Sequence, residues 1–544
     1  MARAGSGAKG SSGRGAGAKK PASRGRATTG QATKAKPGGK GGKTRRKAQA
    51  NARTKRDEAA GRWILAAVLL IGGLTALRLG VNALDLIPVH FDEAQYWAYG
   101  QELAWGYFSK PPLVGAVIRI TTDFGGDTLF WLRFGAPVAH AIIAVGLFVL
   151  GRRLFDAATG FWAAAAYALA PGVSVSSMIM STDPVMMAFW VLALLFWLRA
   201  AEGGGATDWA LMGVMIGLGA LAKYTMLVLP VGALGYALLS ARGRDWRGTG
   251  IVVAAALVVL GPNLLWNLDN SFATVTHVAE DADPGDGYLN PLKFLEFLGA
   301  QFGVIGPVLF PAILAAFWFR GTWREDWRMR LLAWQTGTLL FAMLALAFVT
   351  RAQPNWAAPA YVAGSLFAVR FLMGLGAARL LRWQLGLGAM AAVTVYAAAA
   401  LYAGRSETLL RGPDPFKKMR LAEPFCDPAL AAMAEEGAEV LLSNDRRRLS
   451  ECMFQGGIGW DEVAVWNPKI SAQNHHELVA TLMPGDARPM LLAVLRGVGD
   501  IPAAFEEARP IDTGSFATHR DRSYNYELWF VRGFRGYPAS EERG

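Results

Sequence analysis

Asp92, Glu93 and Lys110 stand within one short stretch, HFDEAQYWAYGQELAWGYFSKPPL at 90–113, between two long apolar runs at 63–84 and 129–150. Ionisable groups at the edge of hydrocarbon are costly unless they are solvated or used. Used, they suit a group transfer: a carboxylate takes a proton from a hydroxyl or amine nucleophile, and an ammonium neutralises a departing phosphate. Asp92 and Lys110 are the candidates, with Glu93 beside the first. Pro111 and Pro112 hold the backbone extended after Lys110 and so restrict where its side chain can point. The intervening AQYWAYGQELAWGYF spaces its aromatics as an interfacial amphipathic helix would, with Tyr96, Trp97, Tyr99 and Trp105 suited to the headgroup layer. A plainer reading stands beside each, Asp92 as a solvated loop carboxylate and Lys110 as a snorkelling lysine.

These groups need a frame, and composition indicates its kind. The chain of 544 residues is 53% hydrophobic with 19 Trp and 28 Phe, too apolar for an ordinary soluble surface, and reads as a mainly α, polytopic membrane protein. The net charge of +13 sits in one place, since residues 1–60 hold 17 Lys and Arg against Asp57 and Glu58 while the other 38 basic residues face 40 acidic ones. This Gly-, Ala- and Ser-rich tail has no aromatic residue and is expected to be disordered and cytoplasmic, drawn to anionic membrane lipids rather than to a specific nucleic acid. The first apolar run starts at Trp63 and is long enough to span, so it is expected to be an uncleaved first span.

Apolar runs recur near 63–84, 129–150, 161–180, 184–199, 208–222, 225–240, 249–267, 296–318, 331–349, 357–373 and 383–403, about eleven spans. With the N-terminus inside, the alternate loops rich in arginine, from Arg152 and Arg153 to Arg379 and Arg382, all fall on the cytoplasmic side. The opposite loops hold Asp92, Glu93, Lys110, Asp183, Lys223, Tyr224, His277, Asn355 and Trp356. Structural readings compete here too: Asp183 ahead of Pro184 as a helix cap, Lys223, Tyr224 and Trp356 as interfacial anchors, His277 as an exposed loop histidine.

An odd number of spans places residues 404–544 on the outer face, and this segment differs in kind. AEVLLSND, DEVAVWNP, MLLAVLRG and YNYELWFVRGF read as short strands and DPALAAMAEEGA as a helix with an Asp cap, hence a small α/β domain. It holds both cysteines, Cys426 and Cys452, and an oxidising outer face leaves open either a disulfide or two buried thiols. Its NDRRR at 444–448 reads as a solvated charge run, with substrate contact as the lesser alternative. No Walker loop, dinucleotide glycine fingerprint, Cys/His zinc spacing or Gly-x-Ser-x-Gly elbow is present, so ATP-driven, NAD-linked and triad-hydrolase chemistries lack their usual motifs.

An Asp-Glu pair in the first outer loop, followed about seventeen residues later by YFSKPPL, resembles the C-type (GT-C) membrane glycosyltransferases. Within them it is similar to the bacterial group of lipid A aminoarabinose transferases, galacturonosyltransferases and protein O-mannosyltransferase-like enzymes. STDPVMMAFW at 181–190, LAKYTMLVLP at 221–230 and QPNWAAPAY at 353–361 fall where such enzymes carry outer-loop motifs. The resemblance implies a GT-C transmembrane domain over 61–403, a first outer loop with amphipathic helices, and a soluble periplasmic domain over 404–544, in the bacterial inner membrane. It implies Asp92 as the catalytic base or an acceptor-orienting carboxylate, with Glu93 beside it and Asp183 positioning acceptor or sugar. Lys110 would bind the lipid phosphate of a polyprenyl-phosphate sugar donor, Lys223 and Tyr224 would add a second phosphate contact, and His277, Asn355 and Trp356 would touch substrate. In the aminoarabinose branch a glutamate just before the lysine joins a histidine on a divalent metal. Here that position is Ser109, with His277 as the loose counterpart of the histidine, so the resemblance does not carry over a two-ligand metal site of that kind, while a divalent metal is not required. The branch also often has an Arg three residues after the Asp, where this chain has Gln95. The implied activity is transfer of a sugar to lipid A, lipopolysaccharide core or another envelope glycan. A protein O-mannosyltransferase-like enzyme is one alternative, and a transporter or flippase of lipid-linked sugars another, although the chain lacks the internal repeats and mid-membrane charges expected of it.

Overall fold

The computed structural model describes residues 41–240, 244–274, 276, 289–350, 352–403, 414, 416–469 and 471–538. Residues 1–40 of the basic tail and His277 lie outside the described residues. Two compact units are distinguished, Met1–Asp57 and Glu58–Gly544, and the site lies in the second.

Six helices among the described residues are long and apolar enough to cross a bilayer: Asp57–Ala83, Leu129–Leu154, Thr182–Ala201, Trp246–Asp269, Trp327–Val349 and Ala378–Leu401. Three shorter apolar helices, Ala206–Ala222, Tyr224–Leu239 and Ala360–Gly374, accompany them. The eleven continuous spans expected from hydropathy are therefore a mixture of long, short and broken helices. The run at 161–180 is two helices, Ala157–Ala168 and Pro171–Ser176, because Pro171 cannot continue the hydrogen-bond ladder and starts a new helix instead. The run at 296–318 bends by 116° between Pro291–Val304 and Leu309–Trp318. Gly306 turns the chain there at φ 107°, and the freed backbone groups are taken up by one side chain. Gln384 accepts from the N–H of Val308 and Leu309, both at 3.2 Å, and donates to the Ile305 carbonyl at 2.9 Å, which is what a break in an apolar setting requires.

Three helices open the chain: α1 (Gly41–Ala83), α2 (Phe91–Gln101) and α3 (Leu113–Gly125). A capping box starts α2, with the His90 ring accepting from the Asp92 N–H at 3.2 Å and Glu93 reaching back to accept from the His90 N–H at 3.0 Å. The expected interfacial helix is here, but it is not at an interface. Tyr96, Trp97 and Tyr99 are buried, and of the expected belt residues Trp105 alone is exposed, at 57%. The amphipathic helix is α3, with Val114 and Ile118 buried and Ile120 and Phe124 exposed.

What buries α2 is the C-terminal region. It contains a five-stranded sheet in the order β2-β1-β3-β5-β4, with β1 Val440–Ser443, β2 Val463–Val465, β3 Met490–Leu495, β4 Phe505–His519 and β5 Arg522–Phe534. The first three strands are parallel and apolar, and β5 adds antiparallel to β3, pairing Leu492 with Trp529. The edge strand β4 is absent from the sequence reading because it contains Pro510 and Gly514, and an edge tolerates both; the register shifts between Pro510 and Asp512. A disulfide joins Cys426, on helix Ala422–Glu435, to Cys452, on helix Arg446–Gly456. The second of these helices lies against α2: Phe454 meets Trp97 edge-on at 5.5 Å, and Arg447 stacks over Phe91 at 5.1 Å. Nearby, Trp460 donates its indole N–H to the Ala98 carbonyl at 2.8 Å.

His475 completes this contact, edge-on to Tyr99 and Tyr107 at 5.0 Å each and to Trp460 at 5.4 Å. Burial lowers its pKa from 6.5 to about 4, so it is neutral in the folded protein. Below pH 6.5 the unfolded chain takes up a proton that the folded one refuses, so stability falls as the pH drops towards 4, by about 3 kcal/mol at the lower end. Unfolding in detergent between pH 7 and pH 4.5 measures the effect. His475→Phe should flatten the slope, leaving the part due to His476, whose pKa burial also lowers; an unaltered slope would contradict this assignment.

Candidate active site

Asp92 lies in the first turn of α2 with its side chain 46% exposed, 3.7 Å from His90 Nδ1. Glu93, its neighbour, is completely buried. One oxygen accepts from Arg133 Nε at 3.0 Å and the Met180 N–H at 2.8 Å, and the other from Arg133 Nη2 at 2.8 Å and the His90 N–H at 3.0 Å. The pair thus divides: the Asp92 side chain is partly exposed, whereas the oxygens of Glu93, expected as a second catalytic carboxylate, are all engaged within the protein. Glu93 is a positioning residue.

Lys110 ends a loop that is held from both sides. Tyr107 and Lys110 exchange backbone hydrogen bonds at 3.1 and 3.4 Å, closing a tight turn. The Tyr107 ring stacks on Tyr99 of α2, centroids 4.1 Å apart and planes 5° from parallel, and Tyr107 accepts at its carbonyl from Thr274 at 2.7 Å. Gly106 packs its backbone on the face of Trp266, where a Cβ would lie 2.3 Å from the ring, so a side chain is excluded at this point. Asn263 donates to the Trp105 carbonyl at 2.7 Å and accepts from the Tyr224 hydroxyl at 2.8 Å. Tyr224, expected on the donor phosphate, therefore braces the Lys110 loop.

Three further expected residues come together from separate elements. Asp183, in the first turn of Thr182–Ala201, is buried and accepts from Lys223 Nζ at 2.7 Å and from Asn355 Nδ2 at 2.9 Å. Lys223 is therefore engaged by a carboxylate, where a phosphate contact was expected, and Asn355 orients the other oxygen. Trp356 is half-buried on the same short turn as Asn355, Pro354–Ala357.

Tyr96, read from sequence only as a headgroup-layer aromatic, is buried where the charges of both Asp92 and Asp183 reach it. Burial, then the charges of Asp92, Tyr99 and Asp183, hold its phenol well above the ordinary value of 10, so it stays a neutral hydroxyl among acids. The signal is its spacing: it stands four residues after Asp92, on the same face of α2. Arg133, inside the apolar run at 129–150, was not singled out from sequence, and Arg446 was read within NDRRR mainly as part of a solvated charge run, with substrate contact as the lesser alternative. Arg446 donates to Gln95 Oε1 on α2.

Ser109 places its hydroxyl 3.5 Å from that of Tyr99. A neutral hydroxyl is a weaker donor than a carboxylate, and among the described residues no three His, Cys, Asp or Glu side chains gather as a metal site. Of the two ligand positions of the resemblance, one is thus held by a neutral hydroxyl and the other, His277, lies outside the described residues.

Residues 109–266, beginning at the Ser-Lys-Pro-Pro turn, match the family described as dolichyl-phosphate-mannose-protein mannosyltransferase. The lipid A galacturonosyltransferase RgtD of Rhizobium johnstonii is 33% identical over 390 residues, 71% of this chain and 82% of its own length. The undecaprenyl phosphate-alpha-4-amino-4-deoxy-L-arabinose arabinosyl transferase of Pseudomonas aeruginosa is 28% identical over 296 residues, 51% of each chain. The crystal structure of ArnT from Cupriavidus metallidurans bound to undecaprenyl phosphate shares the fold, with a TM-score of 0.60 at 14% identity over 86% of this chain and 98% of that one. The chain belongs to the GT-C membrane glycosyltransferases, in the group of bacterial lipid A sugar transferases and their protein O-mannosyltransferase-like relatives. It is a multi-pass membrane enzyme that transfers a sugar.

The buried pair gives a test of the frame. Arg133→Met leaves the Glu93 carboxylate buried without its partner, at a cost of about 3–5 kcal/mol, whereas Arg133→Met combined with Glu93→Leu removes both charges and should recover much of the loss. Thermal unfolding in detergent reads both; equal losses in the single and double variants would contradict the pairing.

Proposed function

We propose that this enzyme takes its sugar from a polyprenyl-phosphate carrier and delivers it to lipid A, lipopolysaccharide core or another envelope glycan at the periplasmic face of the bacterial inner membrane. The likeness to the lipid A galacturonosyltransferase, 33% over 82% of that enzyme, carries the reading and favours a uronic acid as the sugar. In this reading the N-terminus is cytoplasmic and the C-terminal region periplasmic. Six long apolar helices, or seven with the bent pair as one crossing, support a multi-pass arrangement, and an odd number of crossings is what this orientation requires.

The chemistry is a single displacement. The acceptor oxygen attacks the anomeric carbon as its proton passes to Asp92, and the bond to the carrier phosphate breaks on the opposite face, inverting the centre. Lys110, aimed by the braced turn, neutralises the departing phosphate. Asp183, fixed by Lys223 and Asn355, holds sugar or acceptor hydroxyls, with Tyr96 as a neutral donor between it and Asp92. A protein hydroxyl as acceptor is the second reading, favoured by the family match over 109–266.

Purified enzyme in liposomes with undecaprenyl-phosphate galacturonic acid and lipid A should yield a glycosylated lipid A by mass spectrometry. Lys110→Met should raise the donor KM by about tenfold or more, the loss of one charge-assisted contact. No product from the wild-type enzyme, or an unchanged KM in the variant, would contradict the donor and the role of Lys110 respectively.

A further inference from the structure

One cation beside the site has no task in the transfer just described. Arg446 opens the helix Arg446–Gly456 of the C-terminal region, half-buried, and donates from Nη1 to Gln95 Oε1. Among the described residues this is its one side-chain hydrogen bond, and no carboxylate pairs with it. A guanidinium has five N–H donors in a planar fork, so most of this one is unspent. Gln95 is itself fixed, 3% exposed with its amide nitrogen donating to the Tyr99 hydroxyl. The buried amide thus places the guanidinium beside α2.

Its position is set by helical spacing. Asp92, Gln95, Tyr96 and Tyr99 stand at i, i+3, i+4 and i+7, one stripe of α2 with the proposed base at one end and the anchor of Arg446 one turn on. The charge of Arg446 acts at Tyr96, the residue at which Asp92 and Asp183 also act. Two more cations of the C-terminal region stand over Phe91, Arg447 at 5.1 Å and Lys418 at 6.0 Å. These cations thus stand at the N-terminal end of α2, next to the proposed base, while the carrier phosphate already has Lys110 in the proposed chemistry.

We infer that Arg446 reads a carboxylate on the sugar being transferred and makes the enzyme selective for a hexuronic acid over neutral and amino sugars. The inference rests on the transferase reading above. A planar fork matches a carboxylate through two parallel hydrogen bonds, which a hydroxyl of a neutral sugar cannot reproduce. An ammonium-bearing sugar would meet like charge from the half-buried Arg446, so it gains no pairing there and is disfavoured. The C-terminal region then contributes specificity to a site whose base lies on α2.

The test compares wild type, Arg446→Gln and Arg446→Lys with undecaprenyl phosphate carrying galacturonic acid, galactose or aminoarabinose, alongside binding of undecaprenyl phosphate itself. Wild type should prefer the uronic acid. Arg446→Gln should lower kcat/KM for that donor by about 10- to 100-fold, the worth of a charge-assisted pair, and leave galactose transfer within about twofold. Arg446→Lys should fall between, and undecaprenyl phosphate should bind all three proteins alike. Equal losses with every donor would make Arg446 structural, and weaker binding of undecaprenyl phosphate would move it to the lipid phosphate; either result overturns the inference. Wild-type enzyme inactive with all three donors would overturn the transferase reading and this inference with it.

Discussion

A carboxylate with no exposure to water is tolerable only if every lone pair is used, and the four hydrogen bonds of Glu93 come from three separate stretches of chain. His90 begins α2, Arg133 stands at the start of the Leu129–Leu154 span, and Met180 lies just before Thr182–Ala201. Arg133 spends two more of its N–H groups on the carbonyls of Ile87 and Pro88, at 2.9 and 2.8 Å, tying in the chain that leads from α1. Four segments are therefore registered on one ion pair. Successive residues of a helix point about 100° apart, so fixing Glu93 inward fixes Asp92 outward. The division of labour between two adjacent acids follows from that geometry.

The second constraint is the cover over α2. A helix bearing Tyr96, Trp97 and Tyr99 would be stable at a lipid interface, yet here a second layer of protein takes the place of headgroups. Trp460, Phe454 and His475 supply aromatic surface, and the Cys426–Cys452 bond ties the helix that carries Phe454 to its neighbour. The same cover brings Arg446 to Gln95, so packing and substrate recognition share one contact. Positions that differ from the wider resemblance, Gln95 and Ser109, both lie on this surface, where Gln95 contacts Arg446 and Ser109 contacts Tyr99.

Asp92, Asp183, Lys223 and Asn355 are legible in the sequence because a charged or amide side chain at the end of an apolar run has few other reasons to be there. That Lys223 would neutralise Asp183 is not legible, since the two lie at the ends of different helices and only folding joins them. The spans are legible where hydropathy and helix length agree, and misread where Pro171 or Gly306 breaks a run that is apolar throughout. Arg133 reads as one residue of a span until its partner is known. The strands β1, β2, β3 and β5 announce themselves by apolar runs, whereas β4 hides behind Pro510 and Gly514. The helix bearing Cys426 begins at Ala422, ahead of the Asp427 that looks like its cap, with Pro428 inside it.

The central claim is that adjacent acids do different work, Glu93 holding α2 and Asp92 taking the proton. Its most direct test is to measure sugar transfer and melting temperature on the same preparations of wild type, Asp92→Asn and Glu93→Gln. The account predicts that Asp92→Asn melts like wild type but loses transfer by about a hundredfold or more, while Glu93→Gln loses stability first and activity with it. A stable Glu93→Gln protein without transfer, or an Asp92→Asn protein that transfers normally, would contradict it.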